Sequence, residues 1–219
     1  MIDTLITSEL FLEALAATFY MLGVSLFFGS VLGIVIGILV VVTRPGGVKP
    51  NAAISLILNV VINLTRSLPF IILLVAILPF TRWVVGSSIG VNAAIVPLTL
   101  MIAPFIGRLV ENSLLEVPEG IVEAAKSMGA TPVQIFTRFL LPEARGSLVL
   151  ALTTATIGLL DATAMAGTVG AGGIGDLAIS YGYQRFDGFA MLLTVITLIV
   201  IVQAIQLFGS RLARRLRRR

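Results

Sequence analysis

Long stretches without a single charged residue are the feature that most constrains how this chain can fold. Residues 14–43, 83–107 and 188–210 contain no Asp, Glu, Lys or Arg. Each is longer than the roughly 20 apolar residues that a helix needs to cross about 30 Å of hydrocarbon. A fourth stretch, 146–160, reaches the same length if it continues past Asp161. A soluble domain needs charged groups over its whole surface, so the sequence predicts an integral membrane protein.

Five membrane spans fit this pattern. They cover residues of about 13–43, 54–80, 88–108, 147–170 and 189–210. Backbone polar groups cannot be left bare in lipid, so spans of this length are predicted to be helices and not strands. The predicted fold class is therefore all-α: a polytopic membrane bundle of five transmembrane helices in a single domain, residues 1–219.

The basic residues predict which ends of the spans face the cytoplasm. Twelve Lys and Arg residues lie in segments 44–53, 108–146 and 211–219, whereas the opposite side holds only Arg82 and Arg185. Loops rich in Lys and Arg stay in the cytoplasm, which places the N-terminus outside and the C-terminus inside. The arginine cluster that follows the last span is interpreted as an anchor at anionic membrane lipid, with no nucleic acid as partner.

The residue types that are missing exclude several kinds of chemistry. The chain contains no Cys and no His, which removes thiol nucleophiles, imidazole bases, disulfides and the usual zinc ligands. We therefore predict no catalytic, cofactor or metal site. Gly170, Gly172 and Gly175 spell G-x-G-x-x-G, but they follow a membrane helix and not a strand. This run is interpreted as a mobile or re-entrant segment at the outer end of the fourth span.

The long segment between the third and fourth spans is predicted to be a helix, a sharp turn and a second helix. Pro118 suits a first helical turn, and Ile121, Ala125 and Met128 are spaced to share one helical face. Gly129 stands where a helix ends on a left-handed residue.

The second helix of this segment has its own start and stop signals. Thr131 is a predicted N-cap, Pro132 takes the first helical position, and Gln134 completes a capping box. Pro142 is predicted to end the helix. These signals alone also fit a helical hairpin that rests on the membrane surface.

The residues of this segment resemble the EAA motif of permease subunits of bacterial ABC importers, E-A-A-x3-G-x9-I-x-L-P. Phe139 stands where the motif has Ile. The resemblance implies a coupling segment, about 118–142, that docks on a separate ATPase subunit. Glu123, at i,i+3 spacing from Lys126, is expected to help orient the same helix if the pair is exposed. The motif residues are Glu123, Ala124, Ala125, Gly129, Leu141 and Pro142.

Further runs are similar to methionine-transporter permeases, and this resemblance covers most of residues 60–187. The runs begin at Arg66, Val110, Ala164 and Val169. The resemblance implies a bacterial inner-membrane importer of D- or L-methionine or a derivative, built from two copies of this chain, an ATPase dimer that binds ATP and Mg, and an external binding protein. The chain itself is then a transport subunit and not an enzyme. Leu160–Thr163 departs from the family pattern, which leaves another amino acid open as substrate.

Two other classes of function compete with this interpretation. A secondary transporter driven by an ion gradient typically carries several ionisable residues in its spans and shows inverted repeats. Away from the span ends, Arg66 and Asp161 are the only charged residues within the predicted spans, and no internal repeat is evident. A membrane anchor without a pathway leaves the EAA segment unexplained.

Three residues are candidates for the substrate pathway: Asp161, Met165 and Arg66. An ionised carboxylate inside a span costs roughly 2.5–3.5 kcal/mol, so Asp161 needs a partner or a water-filled cavity. It either attracts the ammonium group of an amino acid or pairs with Arg66. Arg66 either forms that pair or reaches the cytoplasmic face along its own side chain.

Overall fold

The computed structural model describes residues 5–217, and all regular secondary structure among them is helical, with no strand. This confirms the predicted all-α class. The α-helices are α1 Ser8–Thr43, α2 Ala52–Ser67, α3 Phe70–Ala76, α4 Leu78–Val85, α5 Val91–Leu115, α6 Glu119–Ser127, α7 Pro132–Gln134, α8 Leu141–Glu143, α9 Arg145–Gly167, α10 Ile174–Leu177 and α11 Gly188–Arg217. Two π-helical turns, π1 Ile135–Leu140 and π2 Ala178–Tyr183, interrupt them.

Within residues 5–217, four helices are long and apolar enough to cross a membrane: α1, α5, α9 and α11. The number becomes five when the bent pair α2 and α3 is taken as one span. The predicted second span, 54–80, is therefore wrong as a single straight helix, because its two parts are bent by 104°. Pro69 lies at the break with φ −57° and ψ 137°, and it offers no N–H to continue the α2 ladder.

Several spans extend beyond their predicted ends. The first begins at Ser8, the third continues to Leu115 and the last continues to Arg217. Arg108 was assigned to a loop and lies instead inside α5, while most of the terminal arginines belong to α11. Polar residues at the ends of membrane helices do not stop the helix, because its backbone hydrogen bonds stay satisfied in either solvent.

The chain falls into two compact units, and each takes three separate segments. Unit 1 comprises Met1–Gly29, Leu68–Ile102 and Thr156–Ile205, and unit 2 comprises Ser30–Ser67, Ala103–Ala155 and Gln206–Arg219. Each of the four long helices supplies residues to both units. The single transport domain 1–219 stays a prediction.

In unit 2, glycines of α1 let α5 approach closely. A Cβ added at Gly33 would lie 2.6 Å from the carbonyl oxygen of Ala103, and one at Gly37 would lie 2.6 Å from that of Gly107. Distances this short leave no room for any side chain, so these glycines are needed for the contact.

In unit 1, the glycine-rich run folds back against α9. A Cβ added at Gly175 would lie 2.4 Å from backbone atoms of Ala164, and one at Gly167 would lie 2.4 Å from the backbone nitrogen of Asp176. The backbone N–H of Ile174 donates to the buried Thr18 hydroxyl at 2.9 Å. The glycine-rich run is thus fixed by close packing, and its re-entry into the membrane stays a prediction.

Candidate functional site: the coupling hairpin and the polar side chains of the spans

The first helix of the predicted coupling segment ends as its sequence indicates. Helix α6 spans Glu119–Ser127, and Met128 is its C-cap residue. The next residue, Gly129, has a φ of +74°. The N–H of Gly129 donates to the Lys126 carbonyl at 2.9 Å, and that of Ala130 donates to the Ala125 carbonyl at 3.0 Å. This is a Schellman motif, which uses a left-handed residue to satisfy the last carbonyls of a helix. The turn is therefore fixed by its own backbone.

The second helix begins with the predicted capping box. The hydroxyl oxygen of Thr131 accepts from the Gln134 backbone N–H at 3.4 Å, and the Gln134 side chain accepts from the Thr131 N–H at 2.8 Å. The prediction that Pro142 ends this helix is wrong. The chain passes from π1 through α8 and reaches α9 with one turn residue, Ala144, between them. A wider turn ahead of proline gives the ring room and removes the need for its missing N–H.

The EAA residues divide into a buried anchor and an exposed face. Ala125 is completely buried, whereas Glu123, Ala124 and Gly129 are exposed. Of the last two motif residues, Leu141 is exposed and Pro142 is half-buried. Small residues let α6 lie close to the rest of unit 2 while its other face stays open to a partner.

Two expectations about this hairpin need correction. Met128 was placed on one apolar face with Ala125, but it is the C-cap residue and 69% exposed. Val133, after the turn, is 70% exposed, so two apolar side chains project at the tip. The expected ion pair of Glu123 with Lys126 does not form, and neither side chain is paired in the described part of the chain.

A polar cluster that the sequence did not reveal joins α2 and α5. The Arg108 guanidinium donates to Glu111 Oε2 at 2.6 Å, and to the side-chain oxygens of Asn59 and Asn63, each at 3.0 Å. Asn59 in turn donates to the Ser55 carbonyl at 2.8 Å. Asn59 and Asn63 are four residues apart on α2, and the two charged residues are three apart on α5, so each pair shares a helical face. These spacings were the signal in the sequence that could have indicated the cluster.

The three predicted pathway residues lie in different surroundings. Asp161 is exposed and makes no ion pair or hydrogen bond within residues 5–217. It borders an open cavity of about 420 Å³ in unit 1, where it is the only charged lining residue. Met165, one turn further along α9, is 43% exposed. Arg66 also forms no ion pair within residues 5–217. Its guanidinium lies 5.9 Å from the Phe105 ring centroid, a cation–π contact.

The remaining lining of that cavity is apolar or small. Its residues come from α9 and α11. They are Ile157, Gly158, Leu160, Ala164, Leu198 and Val202. A carboxylate at such a wall attracts a cationic group and leaves apolar surface for the rest of a bound molecule. No group of His, Cys, Asp and Glu residues with the arrangement of a metal site occurs among the residues described.

Comparison with known proteins identifies the family. Residues 29–219 match the family described as binding-protein-dependent transport system inner membrane component. The chain belongs to this family. It is thus a multi-pass inner-membrane protein and a transport subunit, as the sequence predicted. The coupling segment, α5, α9 and α11 lie wholly within the matched residues, and α1 enters them at Gly29.

Individual members of the family are similar over nearly the whole chain. A probable D-methionine transport system permease protein, MetI, of Vibrio cholerae is 48% identical over 210 residues, which are 96% of this chain and 93% of the relative. The D-methionine transport system permease protein MetI of Escherichia coli K12 is 54% identical over 155 residues, 71% of this chain and 70% of the relative.

A solved structure extends the similarity to three dimensions. A chain of the MetNI methionine ABC transporter, in inward-facing conformations, superposes with a TM-score of 0.92. It is 47% identical, and the match covers 95% of this chain and 97% of that one. The predicted resemblance to methionine-transporter permeases is confirmed.

Proposed function

We propose that this chain is the membrane-spanning permease subunit of an ATP-driven importer for methionine, and that two copies form the translocation pathway. The observation that carries the proposal is the similarity along the chain: 48% identity to a probable D-methionine permease over 96% of this sequence. The chain has no G-x4-G-K-[ST] phosphate loop. A separate ATPase dimer therefore binds ATP and Mg, and an external binding protein delivers the substrate.

The coupling hairpin is proposed as the surface that the ATPase contacts. Its backbone is fixed by a Schellman motif at Gly129 and a capping box at Thr131, while Met128 and Val133 present apolar side chains at the tip. A rigid, exposed element with apolar anchors transmits motion well, because it neither unfolds nor bends when its partner moves. Closure of the ATPase pair would move the two hairpins and open the pathway outward.

The function is tested by reconstitution. The chain, copurified with its ATPase and placed in liposomes, is expected to take up labelled L- or D-methionine only when ATP and the binding protein are supplied. Leucine is the matched control substrate. Uptake that needs an ion gradient and no ATPase would contradict the importer and support a secondary transporter. ATP-driven uptake of leucine alone would move the assignment to another amino acid.

Asp161 is proposed to attract the substrate's ammonium group. The carboxylate lies unpaired at the edge of an otherwise apolar cavity, and Met165 and Arg66 are proposed as further pathway residues. Asp161→Asn keeps the size and removes the charge, so uptake should fall about tenfold, the value of one charge-assisted hydrogen bond. Thr154→Ala on the same helix is the control. Unchanged uptake kinetics would show that Asp161 lies off the pathway.

The orientation is also a proposal, with the N-terminus outside and the C-terminus cytoplasmic. It is supported by the twelve Lys and Arg residues of segments 44–53, 108–146 and 211–219, which the five-span arrangement places on one side of the membrane. Reporters fused at residue 2 and after Arg219 should be external and cytoplasmic, respectively. Both on one side would contradict five crossings, and with them the treatment of α2 and α3 as one span.

A further inference from the structure

A cavity in unit 2 carries four charged side chains, of which only Glu123 belongs to the coupling motif. It measures about 360 Å³, within the range of small-molecule sites. Two of the charged residues are basic, Arg44 and Lys126, called here the basic pair. Two are acidic, Glu119 and Glu123, called here the acidic pair. The apolar part of the lining comprises Val41, Val48, Leu114, Leu115, Val117, Val122 and Leu140.

The charges of this cavity do not satisfy one another. None of the four side chains forms an ion pair within 4.0 Å in the residues that the structure covers. The Nε of Arg44 is buried and has no hydrogen-bond partner. A buried donor without a partner costs about 1–3 kcal/mol, and the acidic pair sits at i,i+4 spacing on α6, where like charges repel. The Nε of Arg44 thus lacks an acceptor within the described chain, and the three other charged side chains of the lining are exposed to a ligand.

Both walls of the cavity are held in place: Arg44 lies in the loop after α1, and Lys126 shares the other wall, α6, with the acidic pair. The loop after α1 is fixed by hydrogen bonds from the Lys49 N–H to the Val42 carbonyl at 3.0 Å and from the Asn51 N–H to the Thr43 carbonyl at 2.8 Å. A side chain at Gly47 would collide with the Val41 and Val42 carbonyls at 2.7 Å, which shows how tightly the loop is folded. The other wall is α6, held by its Schellman motif.

The balance of charge indicates the kind of ligand. A lone anion at the basic pair would face the acidic pair, and a lone cation would face the basic pair, so each meets repulsion as well as attraction. A zwitterion meets attraction at both ends. We propose that this cavity binds a zwitterion, with its anionic group at the basic pair, its primary ammonium group at the acidic pair and its apolar part against the aliphatic lining.

Two sources supply this chemistry. The cavity lies where α1 ends, at Thr43, and beside the last residues of α5, and both are membrane spans. Phosphatidylethanolamine from the adjoining leaflet carries a phosphate and a primary ammonium group next to its acyl chains. A free apolar amino acid carries a carboxylate, an ammonium group and an aliphatic side chain. The inference does not depend on which substrate the protein transports.

The test uses the complete transporter, permease with ATPase, and one probe for each source. In the lipid arm, native mass spectrometry compares retention of phosphatidylethanolamine with that of phosphatidylglycerol, which lacks the ammonium group. In the free arm, calorimetry compares L-methionine with N-acetyl-L-methionine, which also lacks it. We expect at least one ammonium-bearing probe to be preferred about tenfold, as for a charge-assisted hydrogen bond.

Variants tie the preference to this cavity. Arg44→Gln and Glu119→Gln should each abolish it, whereas the control Lys49→Gln, in the same loop but outside the lining, should keep it. If Arg44→Gln fails to fold, the exposed Glu119→Gln decides. A preference that survives in Glu119→Gln would overturn the proposal. The absence of any preference in the wild type would also overturn it. If Arg44→Gln released the ATPase and left ligand binding unchanged, the cavity would be part of the subunit interface, and the proposal would again be overturned.

Discussion

The Arg108 cluster and the coupling hairpin differ in whether their side chains have partners within the chain. In the cluster, the guanidinium has a carboxylate and two amides as partners, and Glu111 is buried. In the hairpin, the Schellman motif and the capping box are both formed, yet Glu123 and Met128 are exposed. Side chains paired within the chain stabilise its fold, whereas bare side chains on a rigid support are available to a partner. Substitutions in the two regions should therefore affect different measurements.

The largest effect on function is expected from Gly129→Asp in the hairpin. The φ of +74° strains a residue with a Cβ by about 1 kcal/mol, and the new charge lies at the docking surface. A Cβ there meets nothing within 4 Å, so the folded hairpin has room for the side chain. ATP-driven uptake should be abolished and ATPase copurification weakened, while membrane insertion continues.

The matched control is Gly129→Asn, because Asn has the same shape as Asp, also tolerates a left-handed conformation and adds no charge. It should keep a large part of the uptake. Normal uptake by purified Gly129→Asp with its ATPase would show that the hairpin does not transmit the motion. It would contradict the functional role that the comparison assigns to the hairpin.

The next largest effect is expected from Glu111→Ala in the Arg108 cluster. Removing the carboxylate leaves a half-buried guanidinium without its charged partner, at a cost of about 2–3 kcal/mol in the free energy of unfolding. Thermal unfolding in detergent should show a lowered midpoint. ATPase association measured below that midpoint should be unchanged, since the cluster has no exposed role. A variant with wild-type stability but poor ATPase binding would reverse the roles assigned to the two regions.

A smaller effect is expected from Glu123→Ala. The side chain has no partner in the described chain, so its loss should leave the unfolding midpoint within the range of surface substitutions, about 0.5 kcal/mol. Uptake should fall a few-fold, because an exposed charge at an interface rim contributes modestly. Glu143→Ala, an exposed carboxylate outside the motif, is the control. Equal loss in both variants would point to general surface charge.

The smallest effect is expected from Asn63→Ala. It removes one amide from Arg108 while Asn59 and Glu111 remain, so the unfolding free energy should drop by about 1 kcal/mol. Asn59→Ala should cost more, since it also breaks the bond to the Ser55 carbonyl. The order of the two midpoints tests whether the cluster acts through its separate hydrogen bonds. The opposite order would contradict the partner assignment.

Sequence reasoning succeeded where the signals are local. The caps of the hairpin depend on Gly129, Thr131 and Gln134 within a few residues of one another, and the structure has them as predicted. The long helices follow from the absence of charge over 20 or more residues. Their ends were less accurate, because Arg108 can stay inside a helix once partners on another helix satisfy it.

What could not be predicted depends on residues far apart in the sequence. Arg108 finds Asn59 and Asn63 across 49 and 45 positions, and no local pattern shows which helices will be neighbours. The break at Pro69 is similar, since a proline in a membrane helix produces either a kink or a full break according to what neighbouring helices offer the freed backbone groups. The exposure of Met128 followed from helix termination one residue before Gly129.

The π-helical turn Ile135–Leu140 has a consequence for how this chain tolerates insertions and deletions. A π turn corresponds to one extra residue in an α-helix. Deleting a single residue there lets the segment become regular α-helix and leaves the flanking turns facing nearly the same way, because the widened turn has already absorbed that residue. The same deletion in the regular helix α9 would rotate everything on its N-terminal side by about 100° around the helix axis and turn the hairpin to a different face. The π turn is therefore the place where the segment that carries the hairpin can lose one residue without changing the direction in which the hairpin points.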